Sequence, residues 1–342
     1  MPELASPPRS PAMTDVARVA GVSHQTVSRV LNGHPSVRPA TRARVLAAIE
    51  ELGYRPNLAA RALVTGRSRT LGLVTLETTL FGPVTTLYGI ERAAREAGYF
   101  VSVVSLGTAI DPGSLEDALA RLRAQRVAGV ILIAPLTSSL LALPSLPIDL
   151  PVVVVEGDPD GAFATATVDQ RAGARAATEH LIGLGHRVIA HVAGPPEWLE
   201  AHQREAGWRA GLADAGLAGD VVLVGDWTAR SGYQAGLALA EMTEVTAVFV
   251  ANDHMALGVL RALHERGRAV PEEISVVGFD DIGEAEYFTP SLTTVHQDFD
   301  ELGRRSLDLL LCQLDSSNSV VERLVIAPRL IERRSTAARE GP

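Results

Sequence analysis

From Leu71 onward the chain alternates short apolar runs with amphipathic stretches, and this alternation limits the fold more than any other feature. Runs at 71–77, 99–107, 127–135 and 150–158 are rich in Val, Leu and Ile, too short for buried helices and bounded by turn residues. Helical periodicity follows at 83–97 and 115–125. Asp169 opens a second series, with helices expected at 170–184, 199–216, 231–242 and 254–266 and strands at 187–195, 220–227, 246–253 and 274–281. Strands apolar on both faces belong to parallel sheets covered by helices on each side. Two consecutive α/β units of four or five strands are therefore expected. A last stretch, 292–331, holds a short strand (TTVHQDF), a helix near 300–314 and a strand in VIAPRLIERR, and is expected to cross back between the units.

The first 69 residues are of another kind. They hold ten arginines against Glu3, Asp15, Glu50 and Glu51, a net +6 in a chain whose total is −9, so the remainder carries −15. A basic head on an acidic body suits a nucleic-acid module joined to something else. Within it, MTDVARVAGVSHQTVSRVLN (13–32) reads as two short helices around Gly21, with Thr14 capping the first and Ser23 the second. Val16, Ala17, Val19 and Ala20 would pack against Val27, Val30 and Leu31, leaving His24, Gln25, Ser28 and Arg29 outside. A short polar face of this kind fits a DNA major groove. A third helix is expected in PATRARVLAAIEELG, with Pro39 in its first turn, Val45, Leu46, Ile49 and Leu52 on its buried face and Gly53 at its end. The following YRPNLAARALVTGRSRT (54–70) can form two helical turns or stay a linker; it is too short to hold a helix alone in water.

Gln25 can pair bidentately with adenine and Arg29 with guanine. Ser23, Thr26, Asn32, Tyr54 and Asn57 are placed for phosphate contacts, which fix register without reading sequence, and Thr14 completes the DNA-facing set. Catalytic constellations are missing from the sequence: the nine histidines show no HExxH spacing, and there is no GxSxG, P-loop or GxGxxG. No enzyme activity, cofactor or metal is expected. One cysteine, Cys312, precludes an intrachain disulfide and suits a reducing cytoplasm. The opening MPELASPPRSPAM has no signal-peptide core and reads as a disordered tail (1–12), and no apolar run approaches a membrane span.

The segments DVARVAGVSHQTVSRVLN, ELGYRPN, RAQRVAGVI, HLIGLGH, AGP…REAGW, GDWTARSGYQ, VANDHMALG, ISVVGFDD and SLTTVHQDF occur in this order over most of the chain. Together they resemble the LacI/GalR family of bacterial transcription regulators. The resemblance implies an N-terminal helix-turn-helix head (13–58), a hinge helix (59–69) and a two-lobed, periplasmic-binding-protein-like (type I) α/β core (70–335). The lobes are expected at about 70–168 with 299–326 and at about 169–297 with 327–335, followed by a tail (336–342). It further implies a homodimer on a pseudo-palindromic operator in double-stranded DNA, released by a sugar or glycoside inducer. The alternatives are a corepressor-dependent regulator and a sugar-binding transport component.

By the same resemblance, 59–69 becomes helical only on paired half-sites, and Leu63 wedges into the minor groove and bends the duplex. Arg204, Asn252 and Asp280 match positions that grip sugar hydroxyls, with Trp227 as an apolar face for the ring. Gln297 and Phe299 come from the crossover, and Leu80 and Pro83 form the apolar wall. Glu156 stands where an aspartate is usual, and Glu77 and Glu200 replace serines near the rim; His24 replaces a tyrosine in the recognition helix. Tetrameric members use a C-terminal leucine heptad; RLIERRSTAAREGP has none, so a dimer is expected.

Overall fold

The computed structural model describes residues 11–31, 34–54, 68–76, 79–107, 110–143, 149–157, 161–315 and 321–339. The chain divides into two compact units, 1–68 and 69–342.

In the first unit, α1 (Met13–Ala20), α2 (His24–Leu31) and α3 (Pro39–Leu52) enclose Val16, Ala17, Ala20, Val27, Val30, Val45 and Ala48. Both turns after α1 and α3 close as Schellman motifs. Gly21 and Gly53 adopt left-handed φ of 62° and 59°, and the next residues, Val22 and Tyr54, donate N–H bonds back to Ala17 and Ile49 at 3.0 Å. Ser23 caps α2, its Oγ accepting from the Thr26 N–H at 3.2 Å. Thr14 does not cap α1. That helix starts two residues earlier, at Met13 with Ala12 at the cap position, where the Asp15 carboxylate reaches back to accept the Ala12 N–H at 2.8 Å. Leu46 is exposed although its spacing suggested burial, since Val45 and Ala48 point at the core instead.

The second unit contains two six-stranded sheets. The first orders its strands β2 (Phe100–Leu106), β1 (Thr70–Leu76), β3 (Val130–Ile133), β4 (Val152–Val155), β5 (Ala164–Val168) and β11 (Arg323–Ile326), all parallel. The second repeats the plan with β7 (Val222–Val224), β6 (Ile189–Ala193), β8 (Ala247–Val250), β9 (Ser275–Asp280), β10 (Thr293–His296) and β12 (Arg329–Ile331), of which β12 alone is antiparallel. Helices α4 (Phe81–Glu96), α5 (Pro112–Ala124) and the short α6 (Ser139–Ala142) belong to the first series, and α7 (Gln170–Gly183), α8 (Leu199–Asp214), α9 (Ala229–Glu241) and α10 (Asp253–Glu265) to the second. Each sheet buries apolar residues on both faces. Among the described residues no helix is long and apolar enough to cross a membrane.

The chain passes between the sheets three times: after β5, after β10 into α11 (Phe299–Asp315), which packs on the first sheet, and between β11 and β12. The single strand expected in VIAPRLIERR is thus two. Pro328, which cannot donate to a ladder, separates a piece paired with β5 from a piece paired with β10. The 220–227 strand is shorter than expected because the Asp226 carboxylate accepts from the Thr228 N–H at 2.9 Å, folding Gly225–Thr228 into a turn that starts α9. Residues 336–339, expected as tail, are docked on the second sheet's unit. The Ala337 N–H donates to Ser275 Oγ at 3.1 Å and the Arg339 N–H to the Leu184 carbonyl at 2.7 Å.

Helix α4 meets α11 with backbone against backbone, since a Cβ on Gly303 would overlap the Gly89 carbonyl carbon and one on Gly89 the Phe299 carbonyl oxygen. Gly303→Ala must push the helices apart and carry Phe299 with them. We expect a loss of about 1–3 kcal/mol in denaturant unfolding, together with weaker effector binding in calorimetry.

Candidate effector cleft and DNA-facing helix

In each sheet the strand order reverses direction between the first and third strands of its series, β1/β3 and β6/β8. Open α/β sheets bind ligands beyond the carboxyl ends of strands at such switch points. Both reversals open onto one cleft, made of two recesses that share Gly82, Pro83, Glu200 and Arg204. They measure about 350 and 270 Å³ counting their open mouths. The larger is also lined by Leu80, Phe81, Trp198, Trp227, Asn252 and Asp280, and the smaller by Thr86, Glu156, Gln170, Gln297 and Phe299 with Ile133 and Pro135. All nine effector candidates named from the sequence therefore line one recess or the other.

The backbone is bent to present them. Of five non-glycine residues with positive φ among the described ones, four stand around the cleft or beside it: Glu156 (55°), Trp227 (72°), Asp280 (107°) and Asp281 (54°). Such conformations cost roughly 1–3 kcal/mol each and gather at functional sites. Asp281 is held by Arg333 at 2.7 Å and by His296 at 3.0 Å, which anchors the turn that carries Asp280.

The cleft floor is a closed ring of four side chains. Arg204 Nε donates to Gln170 Oε1 (2.9 Å), Gln170 Nε2 to Gln297 Oε1 (2.7 Å), and Gln297 Nε2 to Asp280 Oδ1 (2.7 Å). Arg204 Nη1 lies 3.4 Å from that same carboxylate oxygen and donates to the Ala251 carbonyl at 2.5 Å. All four residues are buried, and the guanidinium lies over the Phe279 ring at 3.9 Å. Asn252 caps α10, accepting the Met255 N–H at 2.9 Å, and donates to the Trp227 carbonyl at 3.1 Å, so one N–H and one lone pair of its amide are left to offer a ligand. The six-membered ring of Trp227 packs against Gly194, where a Cβ would collide with it, and the indole meets Trp198 edge-on at 5.9 Å.

Three carboxyls face one guanidinium here, and each is raised. Burial pushes Asp280 up to about 6 against the pull of Arg204. Burial pushes Glu156 to about 7, opposed by the Val168 N–H that it accepts at 3.2 Å. Burial and the neighbouring Glu156 push Glu200 to about 8. Six enclosed side-chain polar atoms among the described residues lack a hydrogen-bond partner, and three of the six, Thr86 Oγ1, Glu200 Oε2 and Trp227 Nε1, belong to cleft-lining residues. Buried polar atoms are normally satisfied, and these three lie on the walls of the cleft.

On the head, His24, Gln25 and Arg29 are exposed along α2, and Thr26 and Ser28 are half-buried. Thr14 and Ser23 are exposed, at the starts of the two helices. Tyr54 is 8% exposed and packs in the three-helix core, so its ring has a structural task that a phosphate contact alone does not describe. Asn32, Asn57, Leu63, Glu77 and most of the expected hinge lie outside the described residues.

With a polar helix-turn-helix face on one unit and a two-lobed cleft in the other, the comparisons decide the family. Residues 12–57 match the model for bacterial regulatory proteins, lacI family, and 178–336 the periplasmic binding protein-like domain. The lactose operon repressor of Escherichia coli (strain K12) is 37% identical over 326 residues, covering 95% of this chain and 90% of that protein. The chain belongs to the lacI family.

A solved family structure, the lac repressor dimer bound to operator and the anti-inducer ONPF, superposes with a TM-score of 0.87 at 35% identity, covering 96% of this chain and all of that one. The complex of the transcriptional regulator CelR with cellobiose gives 0.70 at 34% identity, covering 95% and 99%.

Sequence reasoning missed Gln170, Phe81, Thr86 and Trp198 as members of the cleft. Gln170 follows the Asp169 cap directly at the first chain crossing, and Trp198 immediately precedes α8. Those crossing and helix-start positions are the signals that would have found them. Phe81 opens α4 and so carries the same helix-start signal; its ring centre lies 5.7 Å from that of Phe299 and 6.3 Å from that of His254 across the cleft.

Proposed function

We propose that this protein is a sugar-responsive transcriptional repressor. Two heads, held by a dimer of cores, bind the halves of a pseudo-palindromic operator, and a sugar or glycoside in the cleft releases them. The observation that carries the reading is the joining, in one chain, of an outward Gln25–Arg29 face to a cleft lined by Arg204, Asn252, Asp280 and an indole. Gln25 and Arg29 read bases, His24 tunes the half-site, Ser28 shares their groove-facing surface, and Ser23 and Thr26 set register on phosphates. Leu63 serves as the minor-groove wedge. In the cleft the guanidinium fork donates, the carboxyls accept pairs of hydroxyls, and Trp227 covers an apolar sugar face. Relatives of this chain include the lactose and ribose operon repressors of Escherichia coli (strain K12), and a non-catalytic role accords with those names.

The mechanism is one of differential affinity. A sugar that binds one arrangement of the two lobes more tightly shifts the population towards it, by no more than that difference in affinity. Selection from random duplexes by band shift with the full chain tests the DNA half of the reading. The expected product is a two-fold-related pair of half-sites retained as a dimer complex. Recovery of no sequence preference would overturn it.

A further inference from the structure

Glu200 stands in the first turn of α8, where the helix N-terminus favours its ionised form. It forms part of the wall common to both recesses, and its Oε2 is enclosed without a hydrogen-bond partner. Of the neighbouring carboxyls, Asp280 takes Gln297 and Arg204 on Oδ1, and Glu156 takes the Val168 N–H on Oε1. Arg204 gives its Nε to Gln170 and its Nη1 to Ala251 and Asp280. With Glu156, Glu200 and Asp280 gathered against one guanidinium, this part of the cleft favours a ligand that brings donors over one that brings an anion.

We propose that Glu200 selects the effector by accepting a pair of its hydroxyls as a carboxylate, so that effector binding releases a proton. The inference rests on the sugar reading above. Glu200 in its acid form gives its proton to the buffer, and the two sugar O–H groups replace that proton as the partners of the oxygens. The charged groups that bear on Glu200 are Glu156 from the end of β4, Arg204 one turn further along α8, and Asp280 from the end of β9; His254 on α10 acts on Asp280. Glu156 comes from the opposite lobe, so ionising both carboxyls without hydroxyl donors between them is unfavourable.

The sign follows from the raised Glu200. Its free-state value near 8 falls when hydroxyls stabilise the carboxylate, so affinity rises with pH up to about 8 and levels off above. The limiting slope is ~10-fold per pH unit for one proton.

The test is calorimetry on the full-length protein with lactose, cellobiose, galactose, glucose and glucosamine between pH 6 and 9, repeated in phosphate and Tris. For whichever neutral sugar binds, the expected result is tighter binding at pH 8 than at 6.5, with a buffer-dependent heat from proton release. Glu200→Gln should weaken it at least ~10-fold at pH 8, the cost of a lost charge-assisted pair, and abolish the slope. Glu200→Asp should keep the slope, and Glu156→Gln should keep it with the inflection moved to lower pH. A flat profile for a sugar that binds, an unchanged slope in a folded Glu200→Gln, or binding of glucosamine alone would overturn the proposal while leaving the repressor reading in place. No binding by any neutral sugar would overturn both.

Discussion

Arg204→Ala is expected to abolish effector binding and to destabilise the core by roughly 3–5 kcal/mol, the cost of removing one partner from a buried ion pair. The guanidinium closes the ring with Gln170, Gln297 and Asp280 and also satisfies the Ala251 carbonyl. Its loss leaves buried acceptors without donors and Asp280 without a counter-charge. The effect is pH-dependent. Asp280 already sits at about 6, above its unfolded value, so its share of stability is present at low pH and is lost as pH rises through that point. Without Arg204 the folded-state value climbs further. The gap between wild type and variant should therefore be narrower at pH 5, where the carboxyl is neutral in both, and wider at pH 8. Urea unfolding at the two pH values measures it; equal gaps would place the loss in packing over Phe279 instead of in charge.

Arg29→Ala should act on the other unit and leave the fold alone. The side chain is exposed on α2, so stability should change by less than about 0.5 kcal/mol. A bidentate guanine contact is worth about 1–3 kcal/mol of discrimination, or ~5- to 150-fold at one base pair of each half-site. Competition band shifts with single-base operator variants should show preference lost at that position and kept elsewhere. A uniform loss on every duplex, with a shallower salt dependence, would make Arg29 a phosphate contact.

How much of this was legible beforehand depended on whether a residue's role was local. The three head helices could be read because turn glycines, the Ser23 cap and apolar spacing act within a few positions. Even there Asp15, reaching back to Ala12, displaced Thr14 as the start of α1. In the core, strands made of Val, Ile and Leu were visible. The Ala- and Thr-rich β5, ATATV, was not, since its burial comes from β4 and β11 on either side and not from its own hydrophobicity. Arg204 and Asp280 stood out by charge and by the motifs around them. Gln170 did not, because its partners are 34 and 127 residues away and a neutral amide leaves no trace in composition. The excess of acid in the cleft was countable from Glu156 and Glu200, but the raised carboxyls are a product of burial and mutual approach, which only the folded chain supplies.

The central claim is that occupancy of the cleft controls the head's grip on DNA. The most direct measurement is a titration of the operator complex, formed by the full chain on its selected duplex, with neutral mono- and disaccharides while anisotropy reports bound DNA. The account predicts that at least one sugar releases the duplex at concentrations that saturate the cleft, and that Arg204→Ala, still bound to operator, does not respond. A sugar that saturates the cleft and leaves operator affinity unchanged would contradict it.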